Sequence, residues 1–347
     1  MAYISFQPSD FFNSKLWTGT GATHAITGVG FQPDFTWIKN TDGTKDHTLT
    51  DAVRGVDSQI NTNNTSAAST NADQLTAFDS DGFTLGSDGS EGTVNNSGDD
   101  FVGWNWKAGT TAVPSGGSIT PSAVSFNTTN GFGIYAFTGT GSAATIAHGL
   151  GVKPDMIIFK RLNATGEWSV YHRSLGYNNV VSLNTTAASW SSTAYFNAEP
   201  TASLFSVGTE ANTNGSGDSL LAYAFTSIKG FSSFGSYTGN ADNDGPFCYT
   251  GFKPAYVMIK NTSATQSWQI YTWDMQPFNE TCTTDAGRLK ADASDAASTK
   301  NAMDILSNGF KMRTNASDIN GSGNTVIYMA FAECPLVASN EIPGVAR

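Results

Sequence analysis

The residues of this chain that could do chemistry are scattered, and their spacing points away from catalysis. Glycoside hydrolysis needs two carboxylates roughly 5–9 Å apart across the scissile bond. Glu167, Glu199, Glu210, Glu280 and Asp274 are available, but none stands in a recognisable pairing and most fall in predicted loops. A serine nucleophile needs a strained elbow with a histidine beside it, and no G-x-S-x-G occurs. The histidines are His24, His47, His148 and His172, without H-E-x-x-H or other zinc-ligand spacing. His24 and His148 fall at matching places before a proline turn, which reads as a structural role. Asp79-Ser80-Asp81-Gly82 and Asp318-Ile319-Asn320-Gly321 set oxygen atoms beside a glycine turn. A calcium loop needs more ligands, usually with a bidentate glutamate, and Asx side chains close turns with no ion. The reading is therefore no catalytic residue, no metal site and no cofactor, with a calcium ion near Asp79, Asp81 or Asp318 left open. The glycine-rich pieces match neither phosphate-binding fingerprint.

What remains is binding. Trp190, Tyr195 and Trp273 lie in polar or variable stretches, where an exposed ring can stack on a sugar, and they are the candidate contact residues. Lys39, Lys160 and Lys260 end three similar strands and read as snorkelling lysines that guard a strand end. Cys248, Cys282 and Cys334 form no C-x-x-C pair and read as buried thiols.

Composition bounds the partners. The net charge of −11 opposes binding to a phosphate backbone or an anionic membrane. No apolar run is long enough to span a bilayer, and the N-terminus lacks the basic and apolar regions of a secretion signal. Charged residues are only 14%, while glycine, serine, threonine, asparagine and aromatics are abundant. That is the profile of short strands joined by turns.

The elements that position these residues come in triplicate. An aromatic-Thr-Gly signature occurs at Trp17-Thr18-Gly19, Phe137-Thr138-Gly139 and Tyr237-Thr238-Gly239. A glycine-proline turn then enters an apolar strand ending in lysine: GFQPDFTWIK from Gly30, GVKPDMIIFK from Gly151 and GFKPAYVMIK from Gly251. A third signature reads NNSGDDFVGWNW from Asn95, NGSGDSLLAYAF from Asn214 and NGSGNTVIYMAF from Asn320. Between the second and third lies a weaker echo: NTSAAST from Asn64, NTTAAS from Asn184 and DASDAAST from Asp292. The apolar runs have the pattern of strands buried on both faces or in a sandwich core, and Asn-Gly and Asp-Gly turns space them as in sandwiches and barrels.

The expected fold is all-β: three tandem diverged β-sandwich modules, jelly-roll or lectin-like, each burying its own core and set in a row or about a pseudo-threefold axis. The divisions are an N-terminal arm over 1–14, a module over 15–110, a linker and module over 111–233, a module over 234–335 and a tail over 336–347. Thr110 to Ser118 reads as the linker, Ala293 to Leu306 as the one short helix, and the two ends as extensions that dock on a neighbouring subunit or fray.

The strings FQPSDFFNSKLWTGTG, GVGFQPDFTWIKN, AFDSDGFTLGSD, NNSGDDFVGWNWKAG and GSGNTVIYMAFAECP make the chain resemble, over nearly its whole length, a family of structural proteins of tailed bacteriophages of marine bacteria. The resemblance implies a non-enzymatic virion component assembled in the host cytoplasm, a tail fibre or tail-associated appendage contacting the host surface. It implies other virion proteins as partners and brings no catalytic residues; repeated modules and the candidate aromatic residues add the expectation of a homo-oligomer making repeated weak contacts with a host surface glycan. A capsid-decorating protein and a polysaccharide depolymerase are the alternatives.

Overall fold

The glycine-proline turn and the apolar run behind it form the same strand three times: Phe35–Asn40, Met156–Arg161 and, continuing through the turn, Phe252–Asn261. The structure is a computed structural model and describes residues 4–89, 91–275, 279, 287–299 and 302–335. From its first residue to its lysine, each of these strands is buried throughout, so both faces are covered.

The fold is all-β, built of antiparallel sheets. The first large sheet runs Phe12–Thr18, Asp100–Trp106, Phe35–Asn40, Thr48–Asp51, Gly55–Ile60, Ser69–Thr70. The second runs Phe132–Thr138, Ser219–Phe225, Met156–Arg161, Ser169–His172, Asn179–Ser182, Trp190–Ser191, with Ala123–Asn127 added beyond its first strand. The third runs Ser232–Thr238, Thr325–Pro335, Phe252–Asn261, Gln269–Thr272, Arg288–Lys290. Strand order repeats sheet by sheet. Each large sheet is accompanied by a small one: His24–Thr27, Gly82–Leu85 and Leu75–Asp79 for the first, Ala144–Ala147 and Leu204–Val207 for the second, Phe247–Tyr249, Gly309–Met312 and Met303–Leu306 for the third.

Side chains alternate across a strand, and here the two faces have different partners. On one face, each large sheet packs on its own small sheet, as Ile38 does with Phe83, Phe159 with Phe205, and Ile259 with Phe310. On the other face all three large sheets share the largest core, with Phe35, Trp37, Trp104 and Trp106 meeting Met156, Ile158, Tyr223 and Phe225 and also Tyr256, Met258, Met329 and Phe331. Three sandwiches in a row, each closed on itself, is thus corrected: a continuous apolar run signals a strand covered on both faces but not what covers the second. Trp106, Phe225 and Phe331 hold the same register position in their sheets. Their rings meet one another, at 6.4 Å (Trp106–Phe225), 5.5 Å (Trp106–Phe331) and 6.0 Å (Phe225–Phe331) between centroids.

The same bonds recur where consecutive sheets meet. Trp168 Nε1 donates to the Asn61 carbonyl at 2.9 Å and Trp268 Nε1 to the Ser182 carbonyl at 2.8 Å. At the third junction the position is His47, whose Nε2 lies 2.8 Å from the Lys290 carbonyl while Nδ1 receives the Trp37 indole N–H at 2.8 Å. Those two contacts fix the His47 proton on Nε2. The strand-end lysines sit at these junctions too. Lys160 Nζ donates to Thr65 and Gly166 carbonyls at 3.1 and 2.7 Å, and Lys260 Nζ to those of Thr186 and Gln266. Lys39, in the first sheet, donates to the Asn40 and Gly43 carbonyls. All three are fully buried, so the snorkelling reading is overturned. The weaker echo supplies the other side of each junction: backbone bonds join Gly166 to Thr65, Gln266 to Thr186 and Lys45 to Ser294. This is why the stretch from Ala293 is not a helix. Its amides serve the junction, Ser298 bridges Arg288, and Met303–Leu306 is a strand.

The first and third signatures hold each other. Asn95, Asn214 and Asn320 are buried and accept through Oδ1 the backbone N–H of Thr20, Thr140 and Asn240, just after the signature glycine. A Cβ at Gly19, Gly139 or Gly239 would stand 2.1–2.2 Å from a carbonyl oxygen of the opposing turn, so only glycine fits. From Ile4 onward the N-terminal arm packs on its own chain: Ile4 joins the shared core, and Phe6 lies 5.6 Å from Phe231. The tail over 336–347 lies outside the described residues. The Thr110 to Ser118 stretch is mostly exposed and tied at its ends, by Thr110 to Phe126 and by Ser118 to Thr145. Among the described residues no helix is long and apolar enough to cross a membrane.

Burial at the junctions makes stability depend on pH. It lowers the pKa of Lys39, Lys160 and Lys260 from 10.5 to about 8. Between pH 8 and 10.5 the unfolded chain holds protons that the folded one has released, so stability rises with pH there. Burial also lowers His47 from 6.5 to about 3, helped by the Lys39 charge, and His172 from 6.5 to about 4. Below pH 6.5 the unfolded chain takes up these protons first, so stability falls with pH. The limiting slope is about 1.4 kcal/mol per pH unit for each group. Urea unfolding midpoints are therefore expected to rise from pH 5 through pH 9. A midpoint that drops steadily between pH 8 and 10 would contradict the lysine assignment.

Candidate functional site

The outer edge of the second sheet carries a pair of half-buried aromatic residues. Trp190 begins the two-residue edge strand and pairs with Val180. Tyr195 follows on the loop, where its carbonyl accepts the Thr213 hydroxyl at 3.0 Å and the Gly208 N–H at 2.8 Å. The two rings are half-buried and meet edge to face, 5.9 Å apart at 78°. Beneath Tyr195, Phe196 is buried and anchors the loop to the second sheet's outer core. The Tyr195 hydroxyl bonds the Asn212 side chain, and its pKa is raised by burial and then by the charges of Glu210 and Glu167. Glu167 accepts the Ser182 hydroxyl at 2.6 Å. The result is an amphipathic patch: two ring edges near two carboxylates and an amide. Such a surface can stack on the apolar face of a sugar and accept its hydroxyls.

Trp273 is not part of it. It lies in the short turn Trp273–Met275, is buried in the third sheet's outer core, and has Lys253 Nζ 3.5 Å from its ring centroid. The expectation of an exposed ring is corrected there. A tryptophan amid polar residues is covered because the Lys253 stem and its ion pair with Glu333 close over it.

Two of the acidic residues considered for catalysis, Glu199 and Asp274, have structural bonds. Glu199 accepts from Lys153 at 2.6 Å, from the Tyr171 hydroxyl at 2.7 Å and from the Tyr177 N–H at 2.9 Å. Burial alone would raise its pKa, but these three donors outweigh burial and hold it low, the wrong direction for a general acid. Asp274 accepts the Ser14 hydroxyl at 2.5 Å, joining the first and third sheets. Glu280 lies outside the described residues. Of the calcium candidates, Asp79 accepts the Thr84 hydroxyl at 2.7 Å, Asp81 the N–H groups of Gly28 and Gly30 at 3.0 and 2.6 Å, and Asp318 the Gln269 amide at 2.8 Å. Among the described residues no three His, Cys, Asp or Glu side chains converge to hold a metal ion.

His24 and His148 do not occupy matching places. His24 opens its strand opposite Leu85, and the counterpart in the second sheet is Ala144 opposite Val207. His148 is buried: its carbonyl accepts the Tyr135 hydroxyl, and its Nδ1 accepts the Leu150 N–H. Cys248 is a buried thiol whose pKa burial pushes up to about 12. Cys334 is half-buried, and Cys282 lies outside the described residues.

Sequence reasoning found both aromatic residues of the patch but missed its polar members, because Glu167 and Asn212 reach it from separate elements. Residues 7–335 match a family described as Domain of unknown function (DUF7483). No curated protein and no solved structure matches the chain. With its whole β-sheet assembly inside the matched span, the chain belongs to the DUF7483 family.

Proposed function

We propose that the protein is a non-enzymatic structural component of a phage virion, a tail fibre or tail-associated appendage that meets the host surface through weak glycan contacts. The observation that carries the binding part is the Trp190–Tyr195 pair with Glu167, Glu210 and Asn212 around it. The virion part rests on the resemblance of the long strings quoted above to phage structural proteins. Repeated copies on a particle turn weak contacts into avidity. The test is an array of host-envelope glycans probed with the purified protein. Binding is expected, and Trp190→Ala is expected to weaken it about tenfold, roughly 1.4 kcal/mol. No binding to any envelope glycan, with virions lacking the protein adsorbing normally, sinks the reading.

A capsid-decorating role is the second reading. The recurrence of the same junction bonds at all three sheet boundaries favours it, since such a body suits a local threefold position on a shell. Copy number separates the two: hundreds per particle for decoration, a dozen or fewer for a tail.

A further inference from the structure

The third sheet has a notch at the place where the second carries its aromatic pair, with different chemistry. Gln269 pairs with Lys290 as Ser169 pairs with Ser182, and Ser298 bridges Arg288 where Trp190 pairs with Val180. Asp318 stands in the short helical turn Ser317–Asn320, as Asn212 does in Ala211–Asn214. A small serine thus replaces the tryptophan, and an open cleft of about 360 Å³ results, lined by Gln266, Ser267, Gln269, Arg288, Lys290 and Asp318. That is within the range of small-ligand sites.

In a chain of net charge −11, two cations converge here. Arg288 is held on two sides: Nε donates to Ser298 Oγ at 3.0 Å, and Nη1 lies 3.6 Å from Oδ2 of Asp318, which also lines the cleft. Gln269 also donates to that Asp318 oxygen at 2.8 Å. Among the described residues Ser298 and Asp318 engage two of the five N–H donors of the guanidinium, and a guanidinium oriented in this way can grip a carboxylate in two-point fashion. Lys290, bonded to Asp295 at 2.6 Å near the rim, adds a second positive charge. Gln266 and Ser267 offer neutral donors and acceptors for hydroxyls.

We propose that this cleft binds an acidic sugar, with Arg288 taking the carboxylate of a hexuronate and the amide and hydroxyl side chains its ring hydroxyls. The proposal concerns a second site and does not depend on the Trp190–Tyr195 patch. The test uses the full chain, isothermal titration and three probes: glucuronic acid, glucose and inorganic sulfate. Glucuronic acid is expected to bind, with glucose and sulfate each at least tenfold weaker. Arg288→Gln, which keeps a hydrogen-bonding side chain, is expected to weaken glucuronate at least tenfold, Lys290→Gln about threefold, and Trp190→Ala not at all. Equal binding of glucose, equal binding of sulfate, no glucuronate binding, or full binding by a folded Arg288→Gln protein each overturns the proposal. If Arg288→Gln does not fold, Lys290→Gln decides, and its unchanged affinity overturns it.

Discussion

Replacing Asp51 with alanine lowers the free energy of unfolding by about 3–5 kcal/mol, the cost of stranding a buried charge. Asp51 ends the strand Thr48–Asp51, and its side chain has no solvent exposure. One carboxylate oxygen accepts the backbone N–H groups of Val53 and Arg54. The other receives Arg54 Nε at 2.6 Å and, from the second sheet, the Tyr223 hydroxyl at 2.7 Å. Arg54 is itself 5% exposed, so without Asp51 its charge has no water to turn to. Tyr223→Phe removes one donor to the buried carboxylate and is expected to cost about 1.5–3 kcal/mol. Chemical denaturation measures both. An Asp51→Ala protein within 1 kcal/mol of wild type would show that water or a shifted side chain compensates Arg54, and the buried-pair account would be wrong.

The second large effect lies at the centre of the shared core. Trp106→Ala is expected to cost about 3–5 kcal/mol, through lost burial and an unfilled cavity. Trp106 touches both other sheets, at 5.9 Å from Tyr256, 5.5 Å from Phe331 and 6.4 Å from Phe225. Trp106→Phe should behave differently. Its counterparts are already phenylalanine, and among the described residues the Trp106 indole N–H has no acceptor. Losing a buried, unpaired donor offsets part of the lost ring area, so the phenylalanine variant is expected within about 1.5 kcal/mol of wild type. Denaturation curves in which both variants fall equally would place the stabilisation in the indole and not in ring packing.

Much of this architecture is legible in the sequence, and the illegible part has a pattern. The strands and turns around each signature are visible because apolar runs, Asn-Gly turns and the proline entry are local. The Trp106, Phe225 and Phe331 rings close the three copies of the third signature, yet nothing in the strings says that they meet. The strand-end lysines look like solvent-facing guards, because their acceptors, such as Thr65 and Thr186, lie in a different sheet some seventy to ninety-five residues away. The equivalence of His47 with Trp168 and Trp268 is hidden because the types differ, while the indole and imidazole N–H groups reach equivalent carbonyls. At the patch, Trp190 and Tyr195 announce themselves as aromatics in a polar stretch, whereas Arg288 does so only once Ser298 is seen to take the place of Trp190.

The divergence among junctions also bears on how the chain avoids pairing with the wrong piece of itself. Neighbouring stretches of similar sequence are at high mutual concentration and prone to exchange partners during folding. Here the three corresponding strand ends carry different chemistry. Asp51 takes the Tyr223 hydroxyl, Thr272 takes the Trp104 indole N–H at 2.9 Å, and His172 Nε2 meets the Tyr328 carbonyl at 3.2 Å, beside Met329, which offers no donor. Exchanging Asp51 and His172 would bury a carboxylate beside the Met329 thioether, which offers it no donor. Each strand end is thus keyed to one mate, and a body with three similar sides assembles in one order.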